Sequence, residues 1–153
     1  MRGTIAGAVA GVLAVACGSS PAAQVAASPT PSTPAVVAVV VKTVAGQQEP
    51  VLVNVSAQTL YYLTADTSTT VACSGQCATF WPPLLLPAGD PTSGLTLPGK
   101  LSVLADANGR QVLYNGHPLY AFVKDKASGD ANGEGVNAFG GTWHPATPTL
   151  AAI

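Results

Sequence analysis

"VKTVAGQQEPVLVNVSAQTLYYLTAD" (residues 41–66) and "KLSVLADANGRQVLYNGHPLYAFVKD" (residues 100–125) decide the fold, because the second stretch repeats the first. At a constant offset of 59, Val44 falls on Val103, Val53 on Val112, Leu60 on Leu119, Tyr61 on Tyr120 and Asp66 on Asp125. Each half then runs through a polar loop to a tryptophan, Trp81 in "CATFWPPL" and Trp143 in "GGTWHPAT". An internal repeat of this length is one supersecondary unit used twice.

Each unit reads as three short strands. Val51, Val53 and Val55 alternate with Leu52 and Asn54, the period of two that marks a strand with one buried face. "SAQT" turns the first unit into "LYYLTA", and "NGHP" turns the second into "LYAFVK". Asn115-Gly116 suits such a turn because both residues tolerate positive φ, and "DANG" (106–109) offers another. No stretch after residue 36 sustains helical periodicity. The expectation is a mostly β fold, two pseudo-repeated antiparallel meanders packed as one small domain. Its units span about 38–98 and 99–148.

The same residues carry a family resemblance. Tyr120-Ala121-Phe122-Val123-Lys124-Asp125 fits the Y-x-[FWY]-x-x-D motif of a bacterial family of secreted-repeat lipoproteins, and "ACSGQCATFWPPLL" is similar to its first-unit loop. In the first unit the motif is degraded, because Leu63 stands where an aromatic is expected. The resemblance implies a signal or lipid anchor, two repeat units and no established biochemical activity.

The N-terminal region agrees. Arg2 and the uncharged "TIAGAVAGVLAVA" read as an export signal over residues 1–16, too short for a spanning helix, which needs about 20 residues. Ala14, Val15 and Ala16 before Cys17 look like a lipobox, so Cys17 is expected to carry a diacylglycerol. A palmitate-bearing anchor would place the chain on the outer face of the cell membrane. Residues 17–35, uncharged and with four prolines from Gly18 onward, read as a linker. Residues 36–153 form the β domain.

Only 8% of the chain is charged, and it holds 16 glycines and 13 prolines. Once Arg2 is removed, acidic residues outnumber basic ones by two. Such a surface has no basic stripe for nucleic acid. The composition suits a turn-rich domain outside the cytoplasm.

Candidate chemistry is sparse. Cys73 and Cys77 enclose "SGQ" and are expected to pair, since exported cysteines usually do; a redox pair would more typically be C-x-x-C. Haem attachment is excluded on spacing, because no histidine follows Cys77. His117 and His144 are the only histidines and supply at most half of a copper or zinc site, which Asp125 or Glu134 would have to complete. "DKASGDANGEGVN" (125–137) offers Asp125, Asp130, Asn132, Glu134 and Asn137 to calcium, but the twelfth position from Asp130 is Gly141, so it is not an EF-hand. Asp66 and Asp125, related by the repeat, could meet across a pseudo-twofold axis as acid and base.

Tyr120 and Phe122 share one face of a strand, with Asp125 at its end accepting backbone N–H groups. Tyr61, Leu63 and Asp66 do the same in the first unit. Trp81 and Trp143 are each expected to cover the bottom of their own unit. Val53, Val55, Tyr61, Val112, Tyr114, Tyr120 and Phe122 are the expected core. If the tyrosines and tryptophans were instead exposed together, they would form an aromatic platform for a glycan. The functional expectation is a cell-envelope lipoprotein acting as a non-catalytic binding or structural module without a cofactor, toward an envelope protein or glycan. The alternative is a redox, copper, calcium or haem-related envelope protein.

Overall fold

The computed structural model describes residues 35–153. The expected signal peptide, the lipidation at Cys17 and nearly all of the linker lie outside the described residues.

Among the described residues, eight strands and one short helix follow one another. Strand β1 (Ala38–Val44) pairs antiparallel with β2 (Gln47–Val53). Strand β4 (Leu101–Asp106) pairs with β5 (Gly109–Tyr114), and β5 with β6 (His117–Pro118). The third sheet has the order β3-β8-β7, from β3 (Tyr61–Leu63), β7 (Asn137–Ala138) and β8 (Gly141–Pro145). Helix α1 (Gln76–Phe80) is a single turn. The turns have sequence reasons. Asn115 and Gly116 sit at φ 50° and 89°, and Ala45 and Gly46 at 47° and 82°, so both central residues of each turn lie at positive φ, as two-residue hairpins require.

The repeat is a pseudo-twofold, and its hydrogen bonds come in matched pairs. Tyr61 N donates to Tyr120 O at 2.7 Å and Tyr120 N to Tyr61 O at 2.9 Å. Leu52 N donates to Ala146 O and Val112 N to Leu84 O; Ala146 N donates to Leu60 O and Leu84 N to Leu119 O. The strand after Trp143 thus inserts into the first unit, between Leu52 and Leu60, and the segment after Trp81 inserts into the second. Each unit completes the other.

These pairs also correct the alignment. Leu60 and Leu119, Tyr61 and Tyr120, and Asp66 and Asp125 are equivalent at the offset of 59, but Val112 matches Leu52 rather than Val53. Counted from the pairs Val39–Leu52 and Val103–Val112, the first hairpin runs two rungs further to its turn. Hairpin tips are exposed and tolerate such extension.

Three apolar clusters form the core, one around Leu52, Leu60, Val112, Tyr114 and Leu119, one around Tyr61, Trp81, Tyr120, Phe122 and Trp143, and a small one of Val44, Val51 and Val53. Val55 is not in it and is 78% exposed. The expected alternation is absent too, since Val51, Leu52 and Val53 are all buried and the end of β2 is covered on both faces; Asn54 Oδ1 then accepts Ser56 N and Gln58 N, so the chain turns before Val55. Val40 and Val41 are also exposed, because β1 and β2 form a two-stranded ribbon at that end rather than a buried strand. The tryptophans do not cover separate units. Their rings stack on each other, 3.8 Å apart and 2° from parallel, because the exchanged strands bring both to the shared centre.

Candidate functional site

The motif residues meet at the pseudo-twofold. Tyr61 and Tyr120 are fully buried, and each hydroxyl crosses to the other repeat. Tyr61 Oη donates to Asp125 Oδ2 at 2.7 Å, and Tyr120 Oη to Asp66 Oδ2 at 2.8 Å. The second carboxylate oxygens hold the following loops, Asp125 Oδ1 accepting Asn132 N and Asp66 Oδ1 accepting Ala72 N. Burial pushes the Asp66 carboxyl above its ordinary pKa, although the Ala72 amide and the Tyr120 hydroxyl pull it down. Both tyrosines are raised, first by burial, with the facing aspartate adding to it.

Around this exchange the rings pack edge to face, Tyr61 on Trp81 at 5.4 Å and Tyr120 on Trp143 at 5.1 Å. Phe122 stacks on Trp81 at 4.0 Å. With these rings buried, no exposed aromatic platform exists among them. Gly133 has to be glycine here: its N–H donates to Tyr61 Oη, and a Cβ would lie 2.7–2.8 Å from Tyr61 and Trp81. Asp66 and Asp125 are therefore bonded to tyrosines of opposite repeats and loop amides, not to each other.

The candidate metal ligands are dispersed. His144 Nδ1 bonds Glu134 at 3.1 Å, while His117 Nε2 meets Ala151 O at 3.0 Å. Asp130 Oδ2 accepts the Lys126 and Ala127 amides, and Asn132 turns onto Asp125. Among the described residues no group of three or more His, Cys, Asp or Glu is placed to hold a metal ion. In the loop 125–137, Asp125 Oδ1 and Asp130 Oδ2 accept loop amides, Asp125 Oδ2 accepts the Tyr61 hydroxyl, and Glu134 meets His144. Cys73 and Cys77 form a disulfide, and both are buried.

What remains open is a cleft of about 470 Å³ beside the first repeat. Asn54, Gln58, Leu60 and Pro82–Leu84 line it together with Ala121, Phe122, Val123, Asp125 and Lys126. Its pseudo-twofold counterpart is filled. Tyr62 stands where Ala121 stands, His117 where Gln58 does and His144 where Pro82 does. The Tyr62 ring lies 4.8 Å from the His117 ring and 5.8 Å from that of His144. Burial and the Glu134 charge raise the Tyr62 hydroxyl pKa, while burial lowers that of His117. Reading the sequence for motifs missed this site, because it arises from differences between the repeats. The aligned pairs Tyr62/Ala121 and Gln58/His117 carried the signal.

Residues 102–147 match the model of a secreted repeat of unknown function. The matched stretch is the second unit, from β4 to the end of β8. No curated protein and no solved structure matches the chain.

Proposed function

We propose that this chain is a non-catalytic binding protein of the cell envelope, held to the membrane by lipid on Cys17 and binding its ligand in the cleft beside the first repeat. The broken symmetry carries the reading: one of two equivalent positions is filled by Tyr62 between two histidines, and the other is left open by Ala121. A cleft that mixes amides (Asn54, Gln58), one charge of each sign (Asp125, Lys126) and apolar walls suits a neutral polar ligand. The commitment of Asp66 and Asp125 to buried hydrogen bonds leaves no free acid–base pair there. An exported location accords with the description of the matched family. Among the described residues no helix is long and apolar enough to cross a membrane. With the anchor on Cys17, labelled palmitate should mark the wild type but not Cys17→Ser.

The binding reading is tested by NMR titration of the full chain with a soluble digest of bacterial cell wall. Amides of Gln58, Ala121 and Lys126 should shift, and the shifts should vanish in Ala121→Tyr, which rebuilds the closed counterpart. Shifts that survive in that variant would place binding elsewhere and refute the assignment.

A further inference from the structure

In the second repeat, the chain beyond Ala146 returns as a strap across the β5–β6 turn. Tyr114 Oη donates to Pro148 O at 2.7 Å, Asn115 Nδ2 to Leu150 O at 2.7 Å, and His117 Nε2 meets Ala151 O at 3.0 Å. Ile153 N donates back to Asn115 O at 3.1 Å. Gly116 permits this passage: a Cβ there would lie 2.8 Å from Ile153 O and 3.3 Å from Ser68. Every one of these bonds is made to the main chain of the strap, so the turn holds an extended segment by its backbone.

Among the described residues no strap crosses the equivalent turn of the first repeat, whose Ala57 O accepts Lys42 Nζ from β1 at 3.0 Å. The chain beyond Leu84, the counterpart of Ala146, is drawn onto β5 instead. Leu86 N donates to Arg110 O, and the Arg110 guanidinium donates to Leu86 O and Gly89 O. Among the described residues, Asn54 and Gln58 hydrogen-bond only within their own turn. The Gln58 amide, at the position of His117, keeps its Nε2 protons for another acceptor. Val55, 78% exposed, stands on the same turn, and the cleft behind it is walled by Pro83, Leu84 and Phe122.

From this internal counterpart we infer that the cleft of the first repeat takes an extended, uncharged peptide segment of a partner, held through its main chain as residues 147–153 are held in the second repeat. The inference rests on reading the cleft as the ligand site and adds the class of ligand. The Gln58 amide donates to a peptide carbonyl, as His117 does to Ala151. A small apolar side chain of the peptide enters over Ala121 between Gln58 and Pro82, the place that Tyr62 fills between His117 and His144 in the counterpart.

The test titrates the ¹⁵N-labelled full chain separately with an N-acetylated peptide of the sequence Thr-Pro-Thr-Leu-Ala-Ala-Ile and with a tetramer of N-acetylglucosamine. The peptide is expected to move the Gln58, Ala121 and Lys126 amides saturably. Gln58→Ala, a change at the rim of the turn, should weaken it about 2–10-fold, the worth of one neutral hydrogen bond. Ala121→Tyr should abolish it. Shifts confined to Asn115 and His117 would mean that the peptide only replaces the strap, and would overturn the inference. Cleft shifts with the sugar or with the cell-wall digest, but not with the peptide, would overturn the peptide assignment and leave the cleft as the ligand site. A cleft silent to peptide, sugar and digest alike would end both readings.

Discussion

Tyr61 and Tyr120 do what the motif spacing alone could not reveal, because the aspartate that each holds belongs to the other repeat. Only four residues separate tyrosine and aspartate within a unit, so the sequence suggested that each Asp served its own loop. Half of that is so: one carboxylate oxygen takes the loop amide, and the other takes the distant hydroxyl. Which tyrosine arrives depends on tertiary packing, and no local pattern encodes it. Tyr120→Phe should cost about 1.5–3 kcal/mol, since it strips a buried carboxylate oxygen of its donor. Tyr61→Phe should cost more, because Gly133 N also loses its acceptor. Urea unfolding of the two variants measures both, and a midpoint unchanged from wild type would show that the exchange does not hold the halves. His117 makes the complementary case for charge. Its Nδ1 is buried without a partner among the described residues, and burial lowers its pKa below the ordinary 6.5. A histidine depressed in the folded state contributes stability above the unfolded pKa and loses it as pH falls through the folded one. The melting temperature should therefore drop as pH is lowered from 6.5, and His117→Gln, which copies Gln58, should flatten that slope. An identical slope in the variant would assign it to other groups.

Among the elements, the hairpins were legible and the loops were not. Alternating valines and the Asn-Gly and Ala-Asn-Gly turns announced β2, β4, β5 and the β5–β6 corner. The one-turn helix α1 had no such signal. Its N-cap, Gly75, makes no side-chain capping bond, and five residues cannot sustain a helix alone. It exists because the disulfide closes Cys73 onto Cys77 beside it and Trp81 N donates to Cys77 O. The second repeat has no cysteines there, and uses Asp130 and Asn132 to close its loop. Replacing both cysteines by alanine should thus free residues near 72–80 and leave the sheets standing. By extrapolating the loop-length relation to so short a loop, the loss is about 1–2 kcal/mol. Hydrogen exchange should quicken at Cys77 and Trp81 while Tyr61 and Tyr120 keep their protection. Uniform acceleration across the domain would make the disulfide a global clamp instead.

At the scale of the whole molecule, the repeat does not generate two modules side by side. The segment around Trp81 lies between Val112 and Leu119 of the second unit, and the strand around Trp143 lies between Leu52 and Leu60 of the first. A chain cut near Pro98 leaves each half with a strand whose neighbours are on the other piece. It also splits the Trp81–Trp143 stack and both tyrosine–aspartate bonds. A half of such size has little core of its own. Expressed separately, residues 36–98 and 99–153 should each give the collapsed amide spectrum of an unfolded chain. Mixed or co-expressed, they should assemble one to one and recover the dispersed spectrum of the intact domain, because every interaction across the cut is non-covalent. The Trp fluorescence of the mixture should change with it, as the two rings come to 3.8 Å. A half that shows dispersed amides by itself would mean that its strands close without the partner, and the exchange would then be an ornament on two self-sufficient units rather than the reason the repeat occurs twice.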